Sequence, residues 1–549
     1  MTAKRTGGRI LVDNLVAQGT DRIFTVPGES FLAVLDALHD TPSIEVVVCR
    51  QEGGVGFMAC ADGKLTGRPG IAFVTRGPGA TNASIGVHVA MQDSLPMILF
   101  VGDVARGDRD REAFQEVDFG QMFGPLCKKV LRIDRAERIP EYTARAYATA
   151  MSGRPGPVVV VLPEDMLLEE VEAVDRPQLG RPLQVPCPQE IARIGEALRA
   201  AERPIAIIGG ADWSQAATDA FAGFAEAWDL PVATAFRRQD CFPSTSPVFA
   251  GNLGYGPNPK LLERIRRADL LLVVGARLGE ATTDGYTLIR PDHSGQKLIH
   301  IHPDPEELNS VYQADQALCV DMTIGLALQT LEAPAVQSRK GGEAHAEWLD
   351  WSTPKPRESA RLDLGQCVLA MREAMPADTI ICNGAGNFSG WWHRYWRYEG
   401  YGTQLAPTAG AMGYGVPTAV AACLRRPEQK VVAVAGDGDF LMNGQELATA
   451  VAYGCDMLVI VVDNGWYGTI RMHQEREYPG RVSGTQLHNP DFAALARAYG
   501  GWAETVEETD RFAPALARAL DKKGVKLLHL KTDVEQLTPA ITLSQLQRK

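Results

Sequence analysis

One stretch limits what this chain can fold into more than any other. It covers residues 431–468 and reads VVAVAGDGDFLMNGQELATAVAYGCDMLVIVVDNGWYG. The uninterrupted apolar run 431–435 predicts a strand buried on both faces, as in parallel sheets. It ends at Gly436-Asp437-Gly438, where two glycines permit a tight turn and close backbone approach to a ligand. A helical segment is expected over about 443–453, stopped by Gly454. A second apolar strand, 457–462, ends at Asp463-Asn464-Gly465. This is one βαβ unit. It puts Asp437 and Asn464 at the carboxyl ends of neighbouring strands, the edge at which open α/β sheets bind ligands. A carboxylate, an amide oxygen and a nearby backbone carbonyl are hard donors. They suit Mg²⁺ that keeps its other positions for water and phosphates.

The remaining chain repeats this alternation. Helix 8–19, strand 22–26, helix 31–39 with Ser30 as its cap, and strands 44–48, 70–75, 97–102 and 158–162 form a first α/β domain, 1–170. A charged, Pro-containing connector runs from about 163 to 190. A central domain, 188–335, carries strands near 205–208, 270–274 and 297–302. A polar linker, about 333–361, contains QSRKGGE and TPKPRE. The last domain, 360–549, holds strand 379–383, the Gly-Asp-Gly unit and strand 527–531. The fold class is therefore α/β: three doubly wound parallel-sheet domains, the first and third sharing an architecture.

Composition sets limits on partners. The 549 residues carry 55 Lys plus Arg against 67 Asp plus Glu, a net charge of −12, which does not suit a nucleic-acid binder. Ten scattered cysteines form no C-x-x-C pair and read as thiols of a reducing compartment. No apolar stretch reaches the length of a membrane span, and the N-terminus lacks an apolar signal core. A cytoplasmic protein without membrane or nucleic-acid partners is expected.

Taken alone, Gly-Asp-Gly is an ordinary βα turn. Its spacing is more informative, with roughly 25 residues between Gly438 and Asn464. This is similar to the thiamine diphosphate motif. Three further segments agree: Gln51-Glu52-Gly53-Gly54 with Gly77-Pro-Gly-Ala-Thr-Asn82, Gly384-Ala-Gly-Asn387, and Thr408-Ala-Gly-Ala-Met412-Gly-Tyr-Gly415. In order and spacing the chain resembles the thiamine diphosphate enzymes of the acetolactate synthase, pyruvate oxidase and pyruvate decarboxylase group, and acetolactate synthase-like proteins above all.

The resemblance implies roles. Asp437 and Asn464, with the carbonyl of Trp466, would hold Mg²⁺. Gly386, Asn387, Gly438, Asp439, Tyr467 and Gly468 would line the diphosphate site. Glu52 would bond N1′ of the aminopyrimidine and favour the imino tautomer that deprotonates C2. A buried carboxylate of raised pKa suits that shared proton. The Gly410 carbonyl would take the 4′-amino group, and Met412 would be the wedge that folds the cofactor into a V. The domains become pyrimidine-binding, central Rossmann-like and diphosphate-binding. The family chemistry is attack of a C2 ylid on a 2-oxo acid, loss of CO₂ to an enamine, then protonation, ligation or oxidation. A homodimer at least, or a homotetramer, is implied, with each active site at a subunit interface.

Local features bear on the product. Phe114-Gln115-Glu116 matches an acetolactate synthase segment whose Gln lies at the active site. Glu29 stands where pyruvate decarboxylases carry a catalytic Asp. No His-His pair occurs at Val104-Ala-Arg-Gly107, unlike those decarboxylases. Gly275-Ala-Arg277-Leu-Gly-Glu-Ala281 departs from GVRFDDR, and His473 replaces a channel Trp. Arg471 and His473 could bind a carboxylate instead. FAD is possible near Gly209-Gly210, Arg277 and His302-Pro-Asp304, although no G-x-G-x-x-G occurs. The reading is a lyase or carboligase. The alternatives are a non-ligating decarboxylase with Glu29 as proton donor, a C–C hydrolase of a cyclic dione, and a non-catalytic cofactor-binding regulator.

Overall fold

The computed structural model describes residues 3–178, 180–291, 295–334, 340–357 and 360–547. The chain packs as two compact units. One is Met1–Pro182 with Val416–Pro427 and Leu441–Cys455. The other is Leu183–Gly415 with Glu428–Phe440 and Asp456–Lys549.

The first unit is built on a six-stranded parallel sheet. Its spatial order is Glu45–Val48, Arg22–Thr25, Gly70–Val74, Met97–Asp103, Pro157–Pro163, Lys129–Arg132. The strands Gly70–Val74, Met97–Asp103 and Pro157–Pro163 are buried along their whole length, as in a sheet covered on both faces. Arg5–Thr6 and Glu170–Val171 add a small antiparallel pair.

The second unit contains two more parallel six-stranded sheets. One runs Phe249–Asn252, Val232–Thr234, Pro204–Ile208, Leu270–Val274, Lys297–His302, Gln316–Cys319. Numbered within itself it is 3-2-1-4-5-6, the order of the Rossmann fold. The other runs Gln404–Leu405, Ile380–Asn383, Val431–Gly436, Met457–Asp463, Lys526–Lys531, Trp502–Val506. Its internal order, 2-1-3-4-6-5, is also that of the first unit's sheet. The strand order reverses beside Val431–Gly436, so the crevice expected of a doubly wound sheet opens where Asn383 and Gly436 end their strands.

Three expectations are corrected, and some edge strands were not foreseen. Gly436-Asp437-Gly438 is no turn: the strand Val431–Gly436 passes straight into the helix Asp437–Asn443, followed by a short 3₁₀ turn and the helix Leu447–Ala452. Ser30 caps no helix. It lies inside the 3₁₀ turn Glu29–Phe31, and its hydroxyl meets Thr75 Oγ1 at 3.0 Å. The expected linker contains the helix Gly341–Trp351, whose Trp348 is buried in the central core. Linker residues 335–339 and 358–359 lie outside the described residues. Edge strands such as Lys129–Arg132 and Trp502–Val506 were not expected. They are half solvated and carry no continuous apolar run.

Among the described residues no helix is long and apolar enough to cross a membrane. Among the described residues the cysteines form no disulfide.

Candidate functional site

In the second unit, a cavity of about 230 Å³ opens at the carboxyl edge of the sheet that contains Val431–Gly436. Gly386, Asn387, Gly410, Met412, Asp437, Gly438, Asp439, Asn464, Trp466, Tyr467 and Gly468 all line it. Every position of this unit expected to hold thiamine diphosphate or its metal thus lines one cavity.

The glycines are required for clearance. A Cβ on Gly438 would lie 2.4 Å from the Tyr467 ring, and one on Gly436 would lie 2.8 Å from the Phe388 ring. Gly410 closes a turn by donating to the Pro407 carbonyl at 3.0 Å, with φ +69° that other residues resist. Gly438→Ala is expected to destabilise the fold by about 1–3 kcal/mol by displacing Tyr467. Urea unfolding measures this, and an unchanged midpoint would show that the ring yields freely.

Asp437 is buried at the first turn of its helix, where the N-terminal dipole favours a carboxylate. Its Oδ1 accepts from the Gly438 N–H at 3.0 Å. Its Oδ2 accepts from the Gly465 N–H at 2.9 Å and from Asn489 Nδ2 at 2.7 Å. Asn489 Nδ2 also donates to Asp463 Oδ1 at 2.8 Å. His529 Nε2 meets Asp463 Oδ2 at 2.8 Å. Burial would lift Asp463, but the His529 and Asn489 hydrogen bonds outweigh it and hold that carboxyl low. Burial pushes Asp437 up despite the Asn489 and Gly438 bonds, and the Asp463 charge adds to the rise. Sequence reasoning missed Asn489 and His529. They come from distant loop and strand positions that no motif marks.

Asn464 Oδ1 accepts the Trp466 N–H at 3.0 Å and retains a second lone pair. Asp437, Asn464 and Trp466 all line the cavity, and a carboxylate, an amide oxygen and a backbone carbonyl make a set of hard oxygens that fits Mg²⁺. Among the described residues no three His, Cys, Asp or Glu side chains cluster as a metal site, so a thiolate or imidazole centre has no counterpart there.

Asp439 works on the backbone. Its Oδ1 accepts from Ala385 N at 3.1 Å and Gly413 N at 2.8 Å, tying together the loops that carry Gly386 and Gly410. Burial pushes it up to about 7, against the pull of those N–H groups. Asn387 is held by Thr469, whose Oγ1 accepts its N–H at 3.0 Å and donates to its Oδ1 at 3.0 Å. Thr469 also lines the cavity and was not foreseen.

The first unit carries the other candidates at the carboxyl edge of its own sheet. Glu52 opens the helix Glu52–Thr66, capped by the Gln51 side chain, and Asn82 Nδ2 donates to its Oε2 at 2.9 Å. It is half-buried within this single chain, where a buried carboxylate was expected. Gly79 lies beside it: a Cβ there would be 3.5 Å from Glu52 Oε1. Gln115 has φ +65°, its carbonyl accepts the Gly77 N–H at 3.0 Å, and its buried Oε1 has no partner among the described residues. Exposed Glu29 pairs with Arg76 at 3.2 Å. Its own backbone N–H and the Arg76 guanidinium hold it below the usual carboxylate range.

Two further candidates are placed differently from expectation. Arg471 is buried in an ion pair with Glu475, which spends the charge proposed for a substrate carboxylate. His473 is exposed on the helix Gly468–Glu477.

Comparison with known proteins agrees with this geometry. The profile of the thiamine pyrophosphate enzyme N-terminal TPP binding domain matches residues 5–122. That of the central domain matches 191–331, and that of the C-terminal TPP binding domain matches 384–530. The acetolactate synthase large subunit of Corynebacterium glutamicum is 30% identical, over 98% of this chain and 89% of that protein. The one from Parasynechococcus marenigrum is 32% identical over 92% and 84%. The acetolactate synthase isozyme 2 large subunit of Escherichia coli is 30% identical over 97% of each.

Proposed function

We propose, from the premise that this chain belongs to the thiamine pyrophosphate enzyme family as an acetolactate synthase-like member, that it is a Mg²⁺-dependent carboligase acting on a small 2-oxo acid. The observation that carries this reading is the cavity in which Asp437, Asn464 and Trp466 face the same space as Gly410 and Met412. When bound, thiamine diphosphate supplies an electron sink for carbon–carbon bond cleavage and formation beside a carbonyl. In this reading Asp437, Asn464 and the Trp466 carbonyl hold the cation that anchors the diphosphate. Gly386, Asn387, Gly438 and Gly468 let the backbone approach it. Gly410 and Met412 orient the pyrimidine, and Glu52 holds the proton at N1′.

Domains 1–170, 188–335 and 360–549 belong to this proposal, as does a cytoplasmic homodimer or homotetramer with sites shared between subunits. FAD at the central sheet, near Gly209, Gly210, Arg277 and His302, is read from a flavin absorbance band of the protein as purified.

Glu29 favours ligation over simple decarboxylation. Its own backbone N–H and the Arg76 guanidinium favour its charged form, which suits a proton acceptor better than a donor. The test is product analysis with thiamine diphosphate, Mg²⁺ and a panel of 2-oxo acids. A coupled product such as acetolactate is expected. Aldehyde and CO₂ alone would replace the carboligase by the decarboxylase. In the same assay Glu29→Gln is expected to slow turnover by about 10²-fold. An unaltered rate and product ratio would leave Glu29 as a helix-start carboxylate with no chemical role.

A further inference from the structure

Within the first unit a second glutamate lies behind Glu52. Glu446 is fully buried in the 3₁₀ turn Gly444–Glu446. Burying a carboxylate is costly unless hydrogen bonds replace its water. Here Oε1 accepts the N–H of Arg50 at 2.9 Å and that of Gln51 at 3.1 Å, while Oε2 accepts from Thr449 Oγ1 at 2.6 Å. Those two N–H groups belong to the residues immediately before Glu52. They lie beyond the end of the strand Glu45–Val48, so no sheet ladder could take them.

The residues immediately after Glu52 are held too. Gln51 Oε1 accepts from Gly53 N at 2.6 Å and Gly54 N at 3.2 Å. Gly54 leaves room for the arrangement: a Cβ there would be 2.8 Å from Glu446 Oε1. The backbone on both sides of Glu52 is therefore fixed, and Asn82 holds its carboxylate. Nearby, the Tyr453 hydroxyl donates to the Val46 carbonyl at 2.9 Å and accepts the Val48 N–H at 2.8 Å, closing the sheet's edge strand.

We propose that Glu446 is a positioning residue for Glu52: by binding the N–H groups of Arg50 and Gln51 it sets where the Glu52 carboxylate sits, and so the rate at which the cofactor is activated. This rests on the role of Glu52 proposed above. Small displacements of a reacting group cost about 10²-fold.

The test uses the full chain loaded with thiamine diphosphate and Mg²⁺. It reads three quantities: cofactor affinity, proton exchange at cofactor C2, and backbone amide exchange over residues 48–56. Glu446→Asp keeps the charge but withdraws it by about 1.5 Å. It is expected to bind the cofactor normally, lose amide protection, and exchange C2 about 10²-fold more slowly. Glu446→Gln keeps an acceptor oxygen and is expected within about threefold of the unaltered protein. Tyr453→Phe, which loosens only the edge strand, is expected to leave C2 exchange unchanged. In a Glu52→Gln background Glu446→Asp is expected to add no further loss. Unaltered C2 exchange in Glu446→Asp, or a loss fully additive with Glu52→Gln, overturns the inference. Should Glu52→Gln alone exchange normally, the reading of Glu52 fails first and this inference falls with it.

Discussion

Asp437→Ala is expected to lose Mg²⁺-dependent retention of thiamine diphosphate, with affinity falling about 10³-fold, or ~4 kcal/mol. The reasoning starts from the donor set. Of Asp437, Asn464 and the Trp466 carbonyl, only Asp437 brings a charge, and ligand charge is the main lever on affinity for a hard cation. The substitution also removes the acceptor of the Gly438 N–H, whereas the Gly465 N–H and the Asn489 amide keep their bonds to Asp463. A lost acceptor costs about 1–3 kcal/mol where the donor stays buried. Reduced folding stability is therefore expected as well and has to be separated from lost binding. Asp437→Asn does so, because it keeps an acceptor oxygen at the helix start while removing the charge. Titration of each variant with thiamine diphosphate at several Mg²⁺ concentrations, followed through the fluorescence of Trp466 and Trp391 in the cavity wall, reads the difference. Normal Mg²⁺-dependent binding by both would place the metal elsewhere.

The second large effect concerns Glu52. Glu52→Gln is expected to retain thiamine diphosphate yet slow C2 proton exchange by about 10²–10⁴-fold, the usual contribution of a positioned acid–base group. Retention follows from the location of the anchoring groups, all of which line the cavity of the other unit. The amide can still accept from Asn82, so the local hydrogen bond survives and only the exchangeable proton is lost. Nuclear magnetic resonance of the bound cofactor in deuterated solvent gives the rate directly. An unchanged rate would end the proton-relay reading of this residue.

Much of this was readable from the sequence, for identifiable reasons. Strands such as Val431–Gly436 and Met457–Asp463 are buried on both faces, so they appear as unbroken apolar runs. The cavity-lining glycines were visible because close approach excludes a Cβ. Their conformation was not: Gly436 and Gly438 avoid the Phe388 and Tyr467 rings within a strand–helix junction, and a turn was a reasonable but mistaken explanation. Residues that act on other residues escaped altogether. Asn489 holds Asp437 across 52 positions, and Glu446 holds Gln51 across 395. Neither distance leaves a local pattern. Arg471 was misjudged because its neutralising partner, Glu475, lies one helical turn away and could equally have pointed to solvent.

The Tyr453 phenol that closes the edge strand reaches Val48 across a sequence separation of 405 residues. At a translation rate of about 5–20 residues per second, that spans roughly 20–80 s of synthesis. Throughout this interval the N-terminal sheet exists with its β-branched edge strand open and the turn before Glu52 unsupported. An open edge of this kind is a template for pairing with other chains. The edge strand Glu45–Val48 is therefore open to such pairing until the segment carrying Glu446 and Tyr453 emerges from the ribosome. On the role proposed for Glu446, competence for chemistry and protection of the sheet edge arrive together, late, and from one short segment.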